Sequence, residues 1–500
     1  MADNIVIYTI IHQPRRPRLP VLPVPARIGA DELEQHLFDD GLNRHYLEKV
    51  ARYCYHPATE LFLDLVEKGL HLSLGVTVSF LEQAARWDTP LLDRLKELVA
   101  HPNVELVCIE PYHSFIFYLD IHRFEERMEW ARVKLYRLFG KRPVAAETTE
   151  MFMSPEIYHA LSRLGFKSVL MDGRSSNLDW RSPTYLYDAG REAMVFARHR
   201  DLSDDVGYRF SQKTWRGYPL TAGTYVDWIK RTEGDFVFVG WDFETFGEHH
   251  SRDTGIFEFL KWFHGELTWR GIETLTISQA VERFRGSAHQ LTLPVSPTTW
   301  AGLDGSPDFF TGNAAQFRIF LLMHHAYNTA RLTGDSRLID IALWLCQSDN
   351  LHTLQWYDSK DESEAAVSSY FTPGYWWQLG SRRIPQEVQR VYEQFIAVAA
   401  RRLGARTHAS RRPGLARVVA FRYYAPEAKS VALVSDFTEW DAAPLPLALD
   451  GGGYWEGAVR LGPGTYKYKF IVDGKWLADP ECRFTVPDGF GRTNSVLMVR

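Results

Sequence analysis

Over its first half the chain alternates short apolar runs with longer stretches whose apolar positions recur at helical spacing. The runs are IVIYTII (5–11), LHLSLGVTVSF (70–80), ELVCIEPYHSF (105–115), PVAAETTE (143–150), FKSVLMDG (166–173) and FVFVGWD (236–242). Between them lie TELFLDLVEKG, with Leu61 and Leu65 on one helical face and a stop at Gly69, and RFEERMEWARVKLYRLFG. Strands apolar on both sides, separated by helices, predict an α/β fold in which a parallel sheet, open or closed into a barrel, is covered by helices. Right-handed crossovers then bring the C-terminal end of every strand to one face.

After about residue 290 the pattern turns helical, in NAAQFRIFLLMHHAYNTARL, DSRLIDIALWLCQS and PQEVQRVYEQFIAVAARRL. GARTHASRRPG (404–414) is basic and rich in small residues, and reads as a linker. Beyond it the period changes to two, in VALVSDF, YWEGAVRL and TYKYKFIVDG, with the turn signals GGG, GPG and DG between. The expected organisation is an α/β domain over 1–290, a helical subdomain over 291–403, a linker over 404–414 and a C-terminal β-sandwich over 415–500.

Five hundred residues exceed what one core usually serves, in keeping with that division. A net charge of -5 gives no electrostatic reason to expect nucleic acid or anionic lipid as a partner. No run approaches the roughly 18 uncharged apolar residues of a membrane span. The start, MADNIVIYTIIHQP, carries an acid where a secretory signal needs positive charge, so it reads as a first strand. Cys54, Cys108, Cys346 and Cys482 fit no zinc or redox spacing, and reduced thiols point to the cytoplasm. Oligomeric state has no signature. Composition adds one positive hint: 14% aromatic residues, with 16 Trp and 23 Tyr, supply flat rings of the kind that stack on sugars and bases.

The chemistry is concentrated at strand ends. VGWDFETFGEHH (239–250) follows its apolar run with Asp242, Glu244, Glu248, His249 and His250, and PVAA is followed by Glu147 and Glu150. Crowded acids at the end of a hydrophobic strand repel one another and must be desolvated, so the arrangement costs stability. Two carboxyls from different strands, at the C-terminal face of a barrel, suit glycoside cleavage: one attacks the sugar while the other protonates the leaving oxygen. Acids at strand ends also cap helices and bind metals. A metal-dependent deacetylase using Asp242, Glu248, His249 and His250 is one such alternative, but adjacent histidines point apart and no HxxxH accompanies them, so no metal is expected.

WDFETFGEHH resembles the fourth signature region of glycoside hydrolase family 57, the α-amylase and 4-α-glucanotransferase family. IHQP is similar to that family's first region, and the TTE of PVAAETTEMF to the segment carrying its nucleophile. The likeness continues in EPYHSF (110–115), LSDDVGYRFS (202–211), TTWAGLDGSPDFFTGNAAQ (298–316) and LCQSDN (345–350), and so covers nearly all of residues 1–400. It implies a (β/α)7 barrel, a retaining mechanism on α-1,4-glucans, a helical subdomain that helps form the cleft, and no metal or other cofactor. Carried over residue by residue, Glu150 is the nucleophile, with Glu147 as its competitor, and Asp242 is the general acid/base. His12, His113, Trp241, Glu244 and Asp349 are the candidate substrate-binding residues, Trp241 as a wall and Glu244 orienting a neighbour. The sequence departs from the family pattern at two places: AETTEMF is not the family's commonest wording, and the fifth region has no clear match near TISQAVERF (276–284).

SDFTEWDAAPLPL, WEGAVRLGPGTYKYKFIVDGKWLADP and GRTNSVLMV resemble the family 48 carbohydrate-binding module and the glycogen-binding domain of the AMP-activated kinase β subunit, an immunoglobulin-like sandwich. By that likeness Trp440 and Trp476 stack on glucose rings while Lys469 and Asn494 hydrogen-bond hydroxyls. The residues agree in part: Tyr466, Tyr468 and Phe470 share one strand face, Lys467 and Lys469 the other, and Trp455 belongs to the core. The expectation is an α-amylase acting on glycogen or maltodextrin. Transglycosylation by a 4-α-glucanotransferase or branching enzyme is second, and a non-catalytic glycogen binder third.

Overall fold

The computed structural model describes residues 2–25, 27–357, 373–409, 417–438, 440, 444–462, 464–482, 484–488 and 492–499. Contacts divide the chain into Met1–Gly404 and Ala405–Arg500. The first unit carries β1 (Asn4–Ile11), β2 (Leu72–Val76), β3 (Val104–Ile109), β4 (Ala145–Glu147), β5 (Ser168–Asp172), β6 (Leu186–Asp188), β7 (Met194–Arg198), β8 (Val237–Asp242), β9 (Glu273–Leu275) and β10 (His289–Gln290). Seven of these, in the order β7-β5-β4-β3-β2-β1-β8, pair in parallel. The sheet curls until His199 N–H donates to Phe238 O at 2.7 Å, joining its two ends as a (β/α)7 barrel. β9 pairs with the start of β1, β6 runs antiparallel to β7, and β10 extends β6.

Alternation explains why the strands are apolar throughout. Val6, Tyr8 and Ile10 of β1 point into the barrel with Val107, Ile109, Ala145, Leu170, Phe196 and Phe238. Ile5, Ile7 and Ile11 point outward, into a second core shared with the helices. The run LHLSLGVTVSF is only half strand. Thr77 accepts a hydrogen bond from Phe80 N–H and caps the helix Val78–Trp87, which removes VSF from β2; such a cap is worth about 1 kcal/mol.

Beyond the barrel, Ala314–Thr333, Ser336–Leu345 and Arg383–Ala409 are the three expected helices. Residues 404–409 of the expected linker continue the last of them, since nothing before Pro413 interrupts the helix-compatible sequence; 410–414 lie outside the described residues. The second unit is a sandwich of antiparallel sheets. One holds Arg417–Tyr424, Tyr454–Leu461 and Ala448–Leu449; the other is built on Val431–Ser435, Gly464–Val472 and Thr493–Val499. Phe421, Leu433, Leu447, Leu461, Tyr468 and Phe470 form its core.

Candidate active site

The alternation that fills the barrel with apolar side chains delivers polar ones at its C-terminal end. One inward step past Ile10 is His12, past Gly75 is Thr77, past Ala145 is Glu147, past Leu170 is Asp172, past Phe196 is Arg198, and past Gly240 is Asp242. Above this layer opens a cavity of about 470 Å³, and both Glu150 and Asp242 line it. It lies on the face where a parallel barrel places its chemistry.

Glu150 follows β4 in a left-handed backbone conformation (φ 54°, ψ 32°), and Met151 does the same (φ 49°). Side chains other than glycine avoid that region, so the conformation persists only because neighbours impose it. Thr298 and Met153 exchange backbone hydrogen bonds of 2.9 Å, and Thr299 Oγ1 donates to Glu150 O at 2.6 Å. The same loop brings Trp300, whose indole N–H donates to Glu150 Oε2 at 2.9 Å, while Ser348 Oγ donates to Oε1 at 3.0 Å. Both carboxylate oxygens thus accept a hydrogen bond, as an ionised carboxylate does. Arg174 secures the loop: it donates to Trp300 O at 2.8 Å, to Leu303 O at 3.1 Å and to Asp172 Oδ2 at 2.5 Å.

Asp242 has the opposite environment. Burial pushes its carboxyl up to about 6, against the pull of Arg198 and His12. Arg198 is held by Asp204 at 2.7 Å, Asp172 at 3.3 Å and Gly240 O at 3.0 Å, so its charge is fixed beside β8. Glu147 sits lower, with Tyr8 Oη as its hydrogen-bond partner. Burial, then the charges of Asp242 and Glu150, hold it well above the ordinary glutamate range.

Of the other expected residues, His12, His113, Glu244 and Asp349 line the same cavity. His12 Nε2 lies 3.0 Å from Asp349 Oδ2, Tyr55 Oη donates to Glu244 Oε1 at 2.5 Å, and His12 N–H reaches the same oxygen at 3.4 Å. Trp241 does not line it. Inward positions on β8 are even-numbered, so Trp241 points outward, 2% exposed, among Tyr225, Phe246 and Phe263, with its indole N–H on Ser203 O at 3.0 Å. The aromatic wall of the cavity is made by Trp300 and Tyr208 instead. The acid at its rim comes from LCQSDN, whereas TISQAVERF forms a helix capped by Thr276.

The acids and histidines after β8 do not assemble as metal ligands. Glu248 pairs with Lys49 at 2.6 Å, and the His250 nitrogens face Ser211 Oγ at 2.9 Å and Gly207 O at 3.0 Å. Among the described residues, ligand atoms of His12, His113 and Asp349 do come within 4.8 Å of one another. Their ring nitrogens are already engaged by hydrogen bonds to Thr77, Asp349, Ser348 and the Glu150 backbone.

In the second unit, Trp440, Lys469, Trp476 and Asn494 line one cavity of about 870 Å³. The two indoles lie 6.4 Å apart and inclined by 24°, a near-parallel pair. Lys469 is buried and paired with Asp488, and both line the cavity that the two indoles line. Trp455 donates to Ala425 O at 2.9 Å within the core.

Sequence reasoning missed Trp300, Ser348, Arg174 and Arg198. The first two stood inside quoted motifs, and alternation along β7 was the signal for Arg198; Arg174 had none.

A parallel barrel whose open end presents Glu150 and Asp242 in a cavity ringed by imidazoles has the build of a barrel enzyme, and the family match makes it a carbohydrate-active one. The chain belongs to glycosyl hydrolase family 57, whose model matches residues 7–292, and carbohydrate-binding module 48 (isoamylase N-terminal domain) matches residues 402–486. It is a glycosidase or transferase acting on α-glucans. A Methanocaldococcus jannaschii protein whose working name is alpha-amylase is 31% identical over 374 residues, 72% of this chain and 78% of that one. The GH57-type branching enzyme of Pyrococcus horikoshii shares the fold at a TM-score of 0.52 and 14% identity, over 81% of this chain and 95% of that one. The 4-alpha-glucanotransferase of Thermococcus litoralis does so at 0.51 and 16%, over 71% of this chain and 56% of that one.

Proposed function

We propose that this chain is a retaining α-amylase that cleaves α-1,4-glucans, glycogen or maltodextrin, through a covalent glycosyl-enzyme on Glu150. One observation carries the reading: two carboxyls share a cavity in contrasting environments, Glu150 between two hydrogen-bond donors and Asp242 pushed up to about 6. Such a pair divides the roles of nucleophile and acid. A Glu150 oxygen attacks the anomeric carbon as Asp242 gives its proton to the departing glycosidic oxygen. Asp242, now ionised, takes a proton from water, whose oxygen displaces Glu150. The free cysteines Cys54, Cys108, Cys346 and Cys482 support a cytoplasmic setting, and the module's paired indoles support a storage glucan as substrate.

Maltoheptaose tests the activity. Hydrolysis yields short sugars and rising reducing power; a ladder of longer chains at constant reducing power assigns transglycosylation instead, by the same two carboxyls with a sugar hydroxyl in place of water. Glu150→Gln should lower turnover ~10⁴-fold or more while glycogen still sediments the protein. A wild-type chain that binds glycogen without turning over any glucan would leave only a non-catalytic binder.

A further inference from the structure

Three hydrogen bonds close a ring on Glu150. Its backbone N–H donates to His113 Nε2 at 3.3 Å, His113 Nδ1 lies 3.2 Å from Ser348 Oγ, and Ser348 Oγ donates to Glu150 Oε1 at 3.0 Å. Direction follows from valence. A ring nitrogen that accepts a backbone N–H carries no proton, so the single proton of the neutral imidazole is on Nδ1. A hydroxyl that gives its hydrogen to a carboxylate has lone pairs left, and one of them receives that Nδ1–H. The ring therefore joins the backbone of Glu150 to its own carboxylate and has one consistent arrangement of protons.

The surrounding chain is built to hold it. His113 takes a left-handed backbone (φ 57°), as Glu150 does. Glu110 Oε2 accepts Tyr112 N–H at 3.0 Å and Ser114 N–H at 2.6 Å, fixing that turn. The segment then pairs with 346–348: Phe115 N–H donates to Cys346 O and Ser348 N–H to His113 O, each at 2.9 Å. Burial and the neighbouring His12 keep the His113 imidazole well below the ordinary histidine value, which agrees with one proton on the ring.

We propose that His113 and Ser348 are positioning residues that act as one unit, fixing the torsion of the Glu150 carboxylate for attack, and that His113 serves the nucleophile rather than a sugar hydroxyl. This rests on Glu150 as the nucleophile.

Total turnover of maltoheptaose, hydrolysis and transfer together, tests it in the full-length chain carrying Ser348→Ala, Ser348→Thr, His113→Asn, or Ser348→Ala with His113→Asn. Misplacement of a reacting group by a fraction of an ångström to 1 Å costs up to about 10²-fold. Each single loss is expected to lower kcat about 10- to 100-fold with KM within about twofold, and Ser348→Thr, which keeps the hydroxyl, to recover most of it. The double variant should lose no more than the worse single one, as partners in one circuit do. Multiplying losses, a His113→Asn defect confined to KM, or wild-type kcat in Ser348→Ala would each overturn the proposal. Should His113→Asn fail to fold, the Ser348 pair decides alone. Glu150→Gln separates the two levels: retained turnover there overturns the nucleophile assignment, whereas full loss beside a wild-type Ser348→Ala overturns the circuit only.

Discussion

Asp242 holds its proton to about pH 6 because burial outweighs the pull of Arg198 and His12. In its proposed role as acid of the first step it must be protonated, so kcat/KM should fall about tenfold per pH unit above an alkaline limb near that value. Asp242→Asn should lower kcat by about 10²–10⁴-fold. The same shift affects stability. The folded chain binds this proton more tightly than the unfolded one, so the carboxyl costs nothing below its ordinary value of 3.8 and its full penalty above about 6. Asp242→Asn should therefore raise stability by roughly 2–3 kcal/mol at pH 7.5 and by almost nothing at pH 3.5, read from denaturant midpoints. A stability difference between variant and wild type that is the same at both pH values would contradict the raised acid. The residues that carry charge were legible, because acids crowded at an apolar strand end need an explanation. Those that hold them were less so: Trp300 reaches Glu150 from 150 positions away, and no periodicity records such a contact.

At the scale of the element, one rule places the site: inward positions of a barrel strand alternate, apolar below and polar at the end. Applied to β8 it separates Asp242 from Trp241, which the apolar run FVFVGW conceals when read as a block. Six of the seven barrel strands were visible as apolar runs; β7, the MVFAR of EAMVFARHR, was not singled out, and neither were the short β6, β9 and β10 that lie off the parallel series, where two or three residues show no period. Gly75 of β2 faces a filled part of the lumen: an added Cβ would lie 2.6 Å from Tyr8 Oη and also meet the Ile109 side chain. Tyr8 in turn donates to Glu147, under the loop that carries Glu150. Gly75→Ala is thus expected to cost about 1–3 kcal/mol of stability by overpacking and to lower kcat by displacing Tyr8. Chemical denaturation and maltoheptaose kinetics read the two effects, and an unchanged midpoint would show that the lumen has room to spare.

At the scale of the molecule, the boundary near residue 404 separates two cores with their own chemistry: a barrel whose cavity holds paired carboxyls, and a sandwich whose cavity holds paired indoles. Their tasks separate if the second binds polymer and the first cleaves it. Base-like stacking of a flat ring on a pyranose face needs the indoles parallel and accessible, and Trp440 and Trp476 lie 24° from parallel on the wall of an open cavity. Lys469 is already neutralised by Asp488, so it contributes hydrogen-bond donors to a neutral sugar more than net charge. Trp440→Ala with Trp476→Ala should therefore weaken co-sedimentation with glycogen about tenfold or more, while kcat and KM on maltoheptaose, too short to need a second anchor, stay within about twofold. Glycogen turnover at limiting polymer should fall with the binding. If sedimentation is unchanged in the double variant, the sandwich binds by another surface or only stabilises the chain, and a fall in maltoheptaose kcat would mean the two tasks are not separate.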